Sequence, residues 1–136
     1  MKETLKDIKA KDLMDTSFMM IDGSISVQEL MEDYILRRKE RSFLVTEEGV
    51  LSGIFCLEDV KVALSEKKTK TEGREIMTPR EKLEAVAIEA DGNQVLAKLA
   101  SSKINQVPVV QGGEIKGLVC RTDILDFIHL RSEPGM

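Results

Sequence analysis

Asp59 and Asp123 occupy the same local frame. Each stands three residues after a cysteine, Cys56 or Cys120, that ends an apolar run, and each enters the first turn of the helix expected next. A carboxylate there can accept hydroxyl protons from a ligand, or it can simply hold a helix start, where the dipole favours negative charge. Arg121 and Thr122 place a guanidinium and a hydroxyl beside the second aspartate, where helix N-terminal N–H groups already suit an anion. Leu57 and Glu58 offer nothing comparable beside the first. Cys56 and Cys120 are weak donors and read as small buried apolar residues. The rest of the reactive inventory is thin. His129 is the single histidine, so multi-histidine metal sites are excluded and a hydrolase triad fits poorly. No nucleophile stands beside a base and no carboxylate pair has a reason to be adjacent, so the chain reads as a non-enzyme. Gly49, Gly112 and Gly113 read as turn glycines, since no Lys-Ser or Lys-Thr follows them. Arg37-Arg38-Lys39 with Arg41 reads as a solvated helix end, with a phosphate or membrane-surface role as the alternative.

Composition bounds the answer. The 136 residues hold 42% hydrophobic and 32% charged side chains, a soluble globular profile. The apolar runs fall far short of the roughly 20 residues of a membrane helix, so no direct membrane insertion is expected, and no secretory signal is visible. A net charge of −4 argues against nucleic acid, and 4% aromatics with no Trp argue against stacking surfaces. A cytoplasmic location is expected.

The elements that position the two aspartates come as a repeat. Shifted by 64 residues, Phe43–Leu64 lies over Val107–Ile128, with Val45, Gly49, Gly53, Cys56 and Asp59 meeting Val109, Gly113, Gly117, Cys120 and Asp123. Nearer the N-terminus the offset is 63, and Asp12-Leu13-Met14 lies over Glu75-Ile76-Met77. The chain therefore divides into units 8–66 and 73–131 joined by a polar linker, 67–72. In the first, Phe18–Ile21 reads as a strand and Ser24 or Ser26 as a helix cap. Val27, Leu30, Met31, Tyr34 and Ile35 form the apolar stripe of an α-helix. Phe43–Thr46 and Val50–Cys56 make a hairpin and Leu57–Leu64 a second helix. Ala85–Ile88, a helix capped near Asp91, Gln106–Val110, Ile115–Cys120 and Thr122–Leu130 repeat that order. The fold class is α/β (α+β), each unit strand, helix, strand, strand, helix. Two such units are expected to pack around a pseudo-twofold axis, because about 60 residues rarely hold a core alone.

A tandem βαββα unit ending in Gly-h-h-x-x-x-Asp-h, with h apolar, resembles the CBS domain pair, or Bateman module. Asp12-Leu13-Met14, Gly53–Val60, Glu75–Pro79, Val107–Val110 and Gly117–Ile124 carry the resemblance. It implies a regulatory module binding an adenine nucleotide (AMP, ADP or ATP) or S-adenosylmethionine, with no metal. It also implies a homodimer through the CBS helices. By that resemblance Asp59 and Asp123 hold ribose, Ile21, Val45, Ile88 and Val107 supply an adenine slot, and Pro108 stiffens its strand. Thr78, Arg121 and Thr122 complete the polar contacts. Cys56 and Cys120 stand where the family has Ser or Thr, Leu44 stands where it has Pro, and Asp15-Thr16 replaces Thr-Pro. A second reading therefore stays open: a structural dimerisation module with degenerate, ligand-free clefts. The charged first helix and the Ile128-His129-Leu130-Arg131 ending are similar to CBS pairs at the C-terminus of site-2-type membrane metalloproteases. That likeness implies a fused or separate regulated protein and a place at the cytoplasmic face of a membrane. The chain itself holds no His-Glu-x-x-His zinc segment.

Overall fold

The computed structural model describes residues 5–102 and 104–132. Helix α1 (Ala10–Leu13) precedes strand β1 (Met19–Asp22). Helix α2 (Val27–Glu29) then continues as a π-helix over Leu30–Leu36. Strands β2 (Ser42–Glu47) and β3 (Val50–Cys56) lead into α3 (Leu57–Ser65). Next come α4 (Gly73–Ile76), β4 (Thr78–Pro79), a 3-10 turn at Arg80–Lys82 and β5 (Val86–Ala87). Helix α5 (Gly92–Ser102), the hairpin β6 (Gln106–Gln111) and β7 (Glu114–Cys120), and α6 (Arg121–Ser132) complete the chain. This is an α+β fold with two small sheets, ordered β1-β2-β3-β4 and β5-β6-β7. In each, the first strand runs parallel to the second, which forms an antiparallel hairpin with the third. Among the described residues no helix is long and apolar enough to cross a membrane.

Alternation along the strands sets each core. In the first, Phe43 and Val45 of β2 point the same way as Ile21 and Phe55, against Val27, Leu30, Val60 and Ala63 from the helices. Phe43 and Phe55 stack with centroids 4.8 Å apart. In the second, Val107, Val109 and Val119 meet Ala10, Val95, Leu99, Ile104 and Ile124. Both hairpins close through two residues with positive φ, Glu48-Gly49 and Gly112-Gly113, the conformation that suits the twist of a two-residue turn.

The compact units do not follow the sequence repeats. One is Ser17–Leu83; the other joins the described residues up to Thr16 to those from Glu84 onward. The lead-in of each repeat thus serves the other repeat's sheet. Ala10 N donates to Ala90 O and Gly92 N to Ile8 O, while Gly73 N donates to Ile25 O and Val27 N to Thr71 O. The bond to Thr71 O, with one from Gln28 N to Thr69 O, also ties the polar linker 67–72 to the start of α2. Met77 and Met14 then seat on the strand glycines of the repeated motif. A Cβ on Gly53 would meet the Thr78 carbonyl oxygen and lie 2.7 Å from Met77 Sδ; one on Gly117 would lie 2.7 Å from Met14 Sδ. Close approach explains why both positions are glycine. Thr78-Pro79 forms a two-residue strand on Ile54 and Gly53, whereas Asp15-Thr16 makes one bridge, Asp15 to Leu118.

The first long helix differs from expectation. Its stripe predicts α-helix throughout, yet Leu30–Leu36 winds as a π-helix. From the cap Ser26 to the strand start Ser42 is 16 positions; from Asp91 to Gln106 it is 15. A π turn holds more residues per turn, so it absorbs the one extra residue without moving either end. Ser26 Oγ accepts Glu29 N at 3.0 Å, and Asp91 and Gln94 cap each other reciprocally at 2.9 Å.

Arg74 holds the entry to α4 against the first hairpin. Its guanidinium donates to Glu47 Oε1 at 2.7 and 2.8 Å and also pairs with Glu72, while its backbone N donates to Gly23 O. Arg74, reinforced by Ser52 Oγ, holds the Glu47 carboxyl below its ordinary value of 4.5. A depressed folded-state value means this contribution is complete above about pH 4.5 and disappears as pH falls through the folded value. Glu47→Gln is therefore expected to lower the melting temperature at neutral pH, and its deficit to close on acidification; melts of both proteins from pH 7 to pH 3 check this. Gly53→Ala is expected to cost about 1–3 kcal/mol. Gly117→Ala should cost less, because a thioether chain can swing aside and a backbone carbonyl cannot. Urea unfolding of the two variants decides the order.

Candidate functional site

The two aspartates sit at matching strand-to-helix joints. β3 ends at Cys56 and β7 at Cys120, both extended and both opposite the first residue of the neighbouring strand, Ser42 or Gln106. The chain then turns into α3 or α6. Asp59 Oδ2 accepts Cys56 N at 2.8 Å and Asp123 Oδ2 accepts Cys120 N at 3.0 Å. Each aspartate is the third residue of its helix and reaches back to the residue before it, satisfying one of the donors a helix start leaves open. The next donor is met the same way in both places: Leu57 N donates to Arg41 O at 2.9 Å, and Arg121 N to Asn105 O at 2.7 Å. Both carboxylates are half-buried at their helix starts. The structural role of these residues is thus real, and it orients the carboxylate at the same time.

The apolar candidates are placed differently from the expectation. Val45 and Val107 are fully enclosed, Ile21 is buried with them, and Ile88 packs onto the second core. These side chains face inward because alternate strand residues share one face. They hold sheet to helix in the two cores, with Ile88 partly exposed. The opposite faces of β2, β3, β6 and β7 carry Leu44, Ile54, Pro108 and Leu118, which are buried outside those two cores. Thr78 lies in β4 beside Ile54.

Arg121 also departs from expectation. Nη2 donates to Leu99 O at 3.0 Å and Ile104 O at 2.8 Å, and Nε donates to Asn105 Oδ1 at 3.3 Å. The guanidinium closes the C-terminal end of α5, where carbonyls lack helical partners. It is not held out as a phosphate donor. Thr122 remains the side-chain hydroxyl at that helix start. Cys56 and Cys120 are buried, as read, and neither is a free thiol.

Sequence reasoning missed Ser42 and Gln106. They are the buried polar side chains of the two cores, 64 residues apart, at the joints themselves. Every buried side-chain nitrogen and oxygen among the described residues has a partner. A polar residue opening an otherwise apolar strand in both repeats was the available signal. Among the described residues no group of three or more His, Cys, Asp or Glu is placed to hold a metal. Arg121→Ala is expected to destabilise the protein by about 1–3 kcal/mol, because two carbonyls lose a charged donor. Arg121→Lys should recover only part, lacking the planar fork. Chemical unfolding of both variants measures this.

The comparisons with known proteins agree with this architecture. The chain is 33% identical over 131 residues to the zinc metalloprotease MJ0392 of Methanocaldococcus jannaschii, covering 94% of this chain and 35% of that protein. It thus spans about a third of that relative. Among solved structures it is similar to the CBS domain pair of protein MJ0100, solved in complex with 5′-methylthioadenosine and S-adenosyl-L-methionine. There the TM-score is 0.65 at 23% identity, covering 91% of this chain and 98% of that one. It is also similar to the cytosolic domain of the Mg2+ channel MgtE in complex with ATP, with TM-score 0.58 at 25% identity, covering 91% of this chain and 50% of that one. The CBS domain model matches residues 10–66 and 74–130, each carrying one of the two aspartate joints, and the chain belongs to the CBS domain family.

Proposed function

We propose that this chain is a regulatory CBS-pair module that binds an adenosine compound and passes its occupancy to a fused or separate partner. Domain pairs of this family regulate and do not catalyse. The observation that carries the reading is the repeated joint, in which Asp59 and Asp123 are each fixed by a backbone N–H at the start of a helix of nine or more residues. A carboxylate so oriented suits a ribose diol, and the helix N–H groups beside it suit an anionic or polar 5′ group. Thr122 and Asp123 make the second joint the better site. Glu58 beside Asp59 repels a phosphate at the first. The ligand is AMP, ADP, ATP or S-adenosylmethionine. Adenosine compounds in two similar solved structures support the class. The metalloprotease likeness supports a regulated membrane metalloprotease as the partner, at the cytoplasmic face. Ligand binding regulates only if it favours one arrangement of the protein over another. Val62 on α3 and Leu125 and Leu130 on α6 are exposed apolar residues on the helices through which the family dimerises, which supports a homodimer.

Two observations favour the second reading, a structural dimerisation module without ligand. Cys56 and Cys120 offer no hydroxyl at either joint, and the Arg121 guanidinium is engaged by α5. Thermal shift separates the readings. A ligand at about 100 times its Kd adds about 2.7 kcal/mol, several degrees for a domain of this size. The nucleotide reading expects that shift with at least one of AMP, ADP, ATP or S-adenosylmethionine, and its loss in Asp123→Ala measured from that variant's own unliganded midpoint. No shift with any of them at millimolar concentration leaves the dimerisation module.

A further inference from the structure

The π-helix ends in an exposed basic cluster that the nucleotide reading does not use. Arg37, Arg38, Lys39 and Arg41 are all exposed, and Leu36 beside them is 59% exposed. Arg37 has only a loose contact, 3.8 Å to Asp33, and Arg38 lies 5.4 Å over the Tyr34 ring. Lys39 and Arg41 make no ion pair among the described residues. The helix closes with Lys39 N donating to Ile35 O and Glu40 N to Tyr34 O, and Lys39 itself has φ +61. Glycine is the usual residue at such a closure. Here the strained position carries a cation instead. The cluster sets four positive charges beside two nearby acids, Asp33 and Glu40, on a chain whose net charge is −4.

We propose that this helix end adsorbs onto an anionic phospholipid surface, with Leu36 resting among the headgroups and no part of the helix crossing the bilayer. The charge complementarity is local. At physiological salt, charges beyond about 8 Å are screened, so the acids elsewhere on the chain do not cancel the cluster. An aliphatic side chain set among the cations fits a fluid interface better than an acidic protein segment, which would call for paired donors along a groove. Basic residues add their attraction to anionic lipid roughly one by one, and the net two charges here amount to about a thirtyfold preference over neutral lipid.

Flotation of the purified chain with vesicles tests this, using phosphatidylcholine alone and phosphatidylcholine with about a third phosphatidylserine at millimolar lipid. The chain is expected to float with the anionic vesicles at low salt and to be released at half-molar salt. Arg37→Gln, Arg38→Gln, Lys39→Asn and Arg41→Gln together should abolish flotation, with a melting curve showing the variant folded. Leu36→Gln should weaken flotation a few-fold and leave its salt dependence unchanged. Equal flotation with neutral lipid, none with anionic lipid, or an unaffected quadruple variant overturns the proposal. So does tighter binding to polyglutamate than to the vesicles, which assigns the cluster to an acidic protein partner.

Discussion

The fold hinges on one hydrogen bond made twice, from the N–H of the residue ending a buried strand to a carboxylate three residues into the next helix. That bond fixes where the strand stops and how the helix departs. It also brings the loop before the neighbouring strand into place, since the next N–H takes its carbonyl, from Arg41 or Asn105. Strand end, helix start and loop meet at a single turn. A carboxylate already committed to the backbone on one oxygen has a fixed direction. Catalytic chemistry would need a movable or basic partner, whereas recognition of a hydroxylated ligand needs a preset acceptor.

Around this shared joint the two halves close their edges differently. The first helix ends by putting Lys39 at positive φ; the second ends under the Arg121 guanidinium. The first sheet gains a two-residue fourth strand from Thr78-Pro79, and the second gains one bridge from Asp15. Arg121 supports the loop leading to β6 through the Leu99 and Ile104 carbonyls and the Asn105 side chain. The first half keeps a carboxylate but adds Glu58 beside it.

Much of this was legible in the sequence. The identities at Gly53, Cys56 and Asp59 with Gly117, Cys120 and Asp123 revealed the repeat, because strand pairing and helix capping impose short-range rules on residue type. The hairpins were legible from Glu-Gly and Gly-Gly for the same reason. The crossing of the lead-ins was not, since the choice of sheet on which Met14 or Met77 seats is a long-range matter. The π-helix escaped the stripe of Val27, Leu30, Met31 and Tyr34, although the span from Ser26 to Ser42, one residue longer than that from Asp91 to Gln106, held the clue. Ile21, Val45 and Val107 show the limit of reading a slot from apolar strands, because adjacent residues face opposite ways and sequence alone does not say which face is the core. Arg121 was read from its neighbour Asp123, while its partners lie 16 to 22 residues earlier on α5 and the loop after it.

Amide NMR of the 15N-labelled chain during titration with ATP and with S-adenosylmethionine addresses the aspartate joints directly. Occupation of the second joint should move the Cys120 and Asp123 amides along a saturable curve, with smaller movement at Cys56 and Asp59. Saturable shifts confined to residues away from both joints, or no shift with either compound at millimolar concentration, would contradict the account.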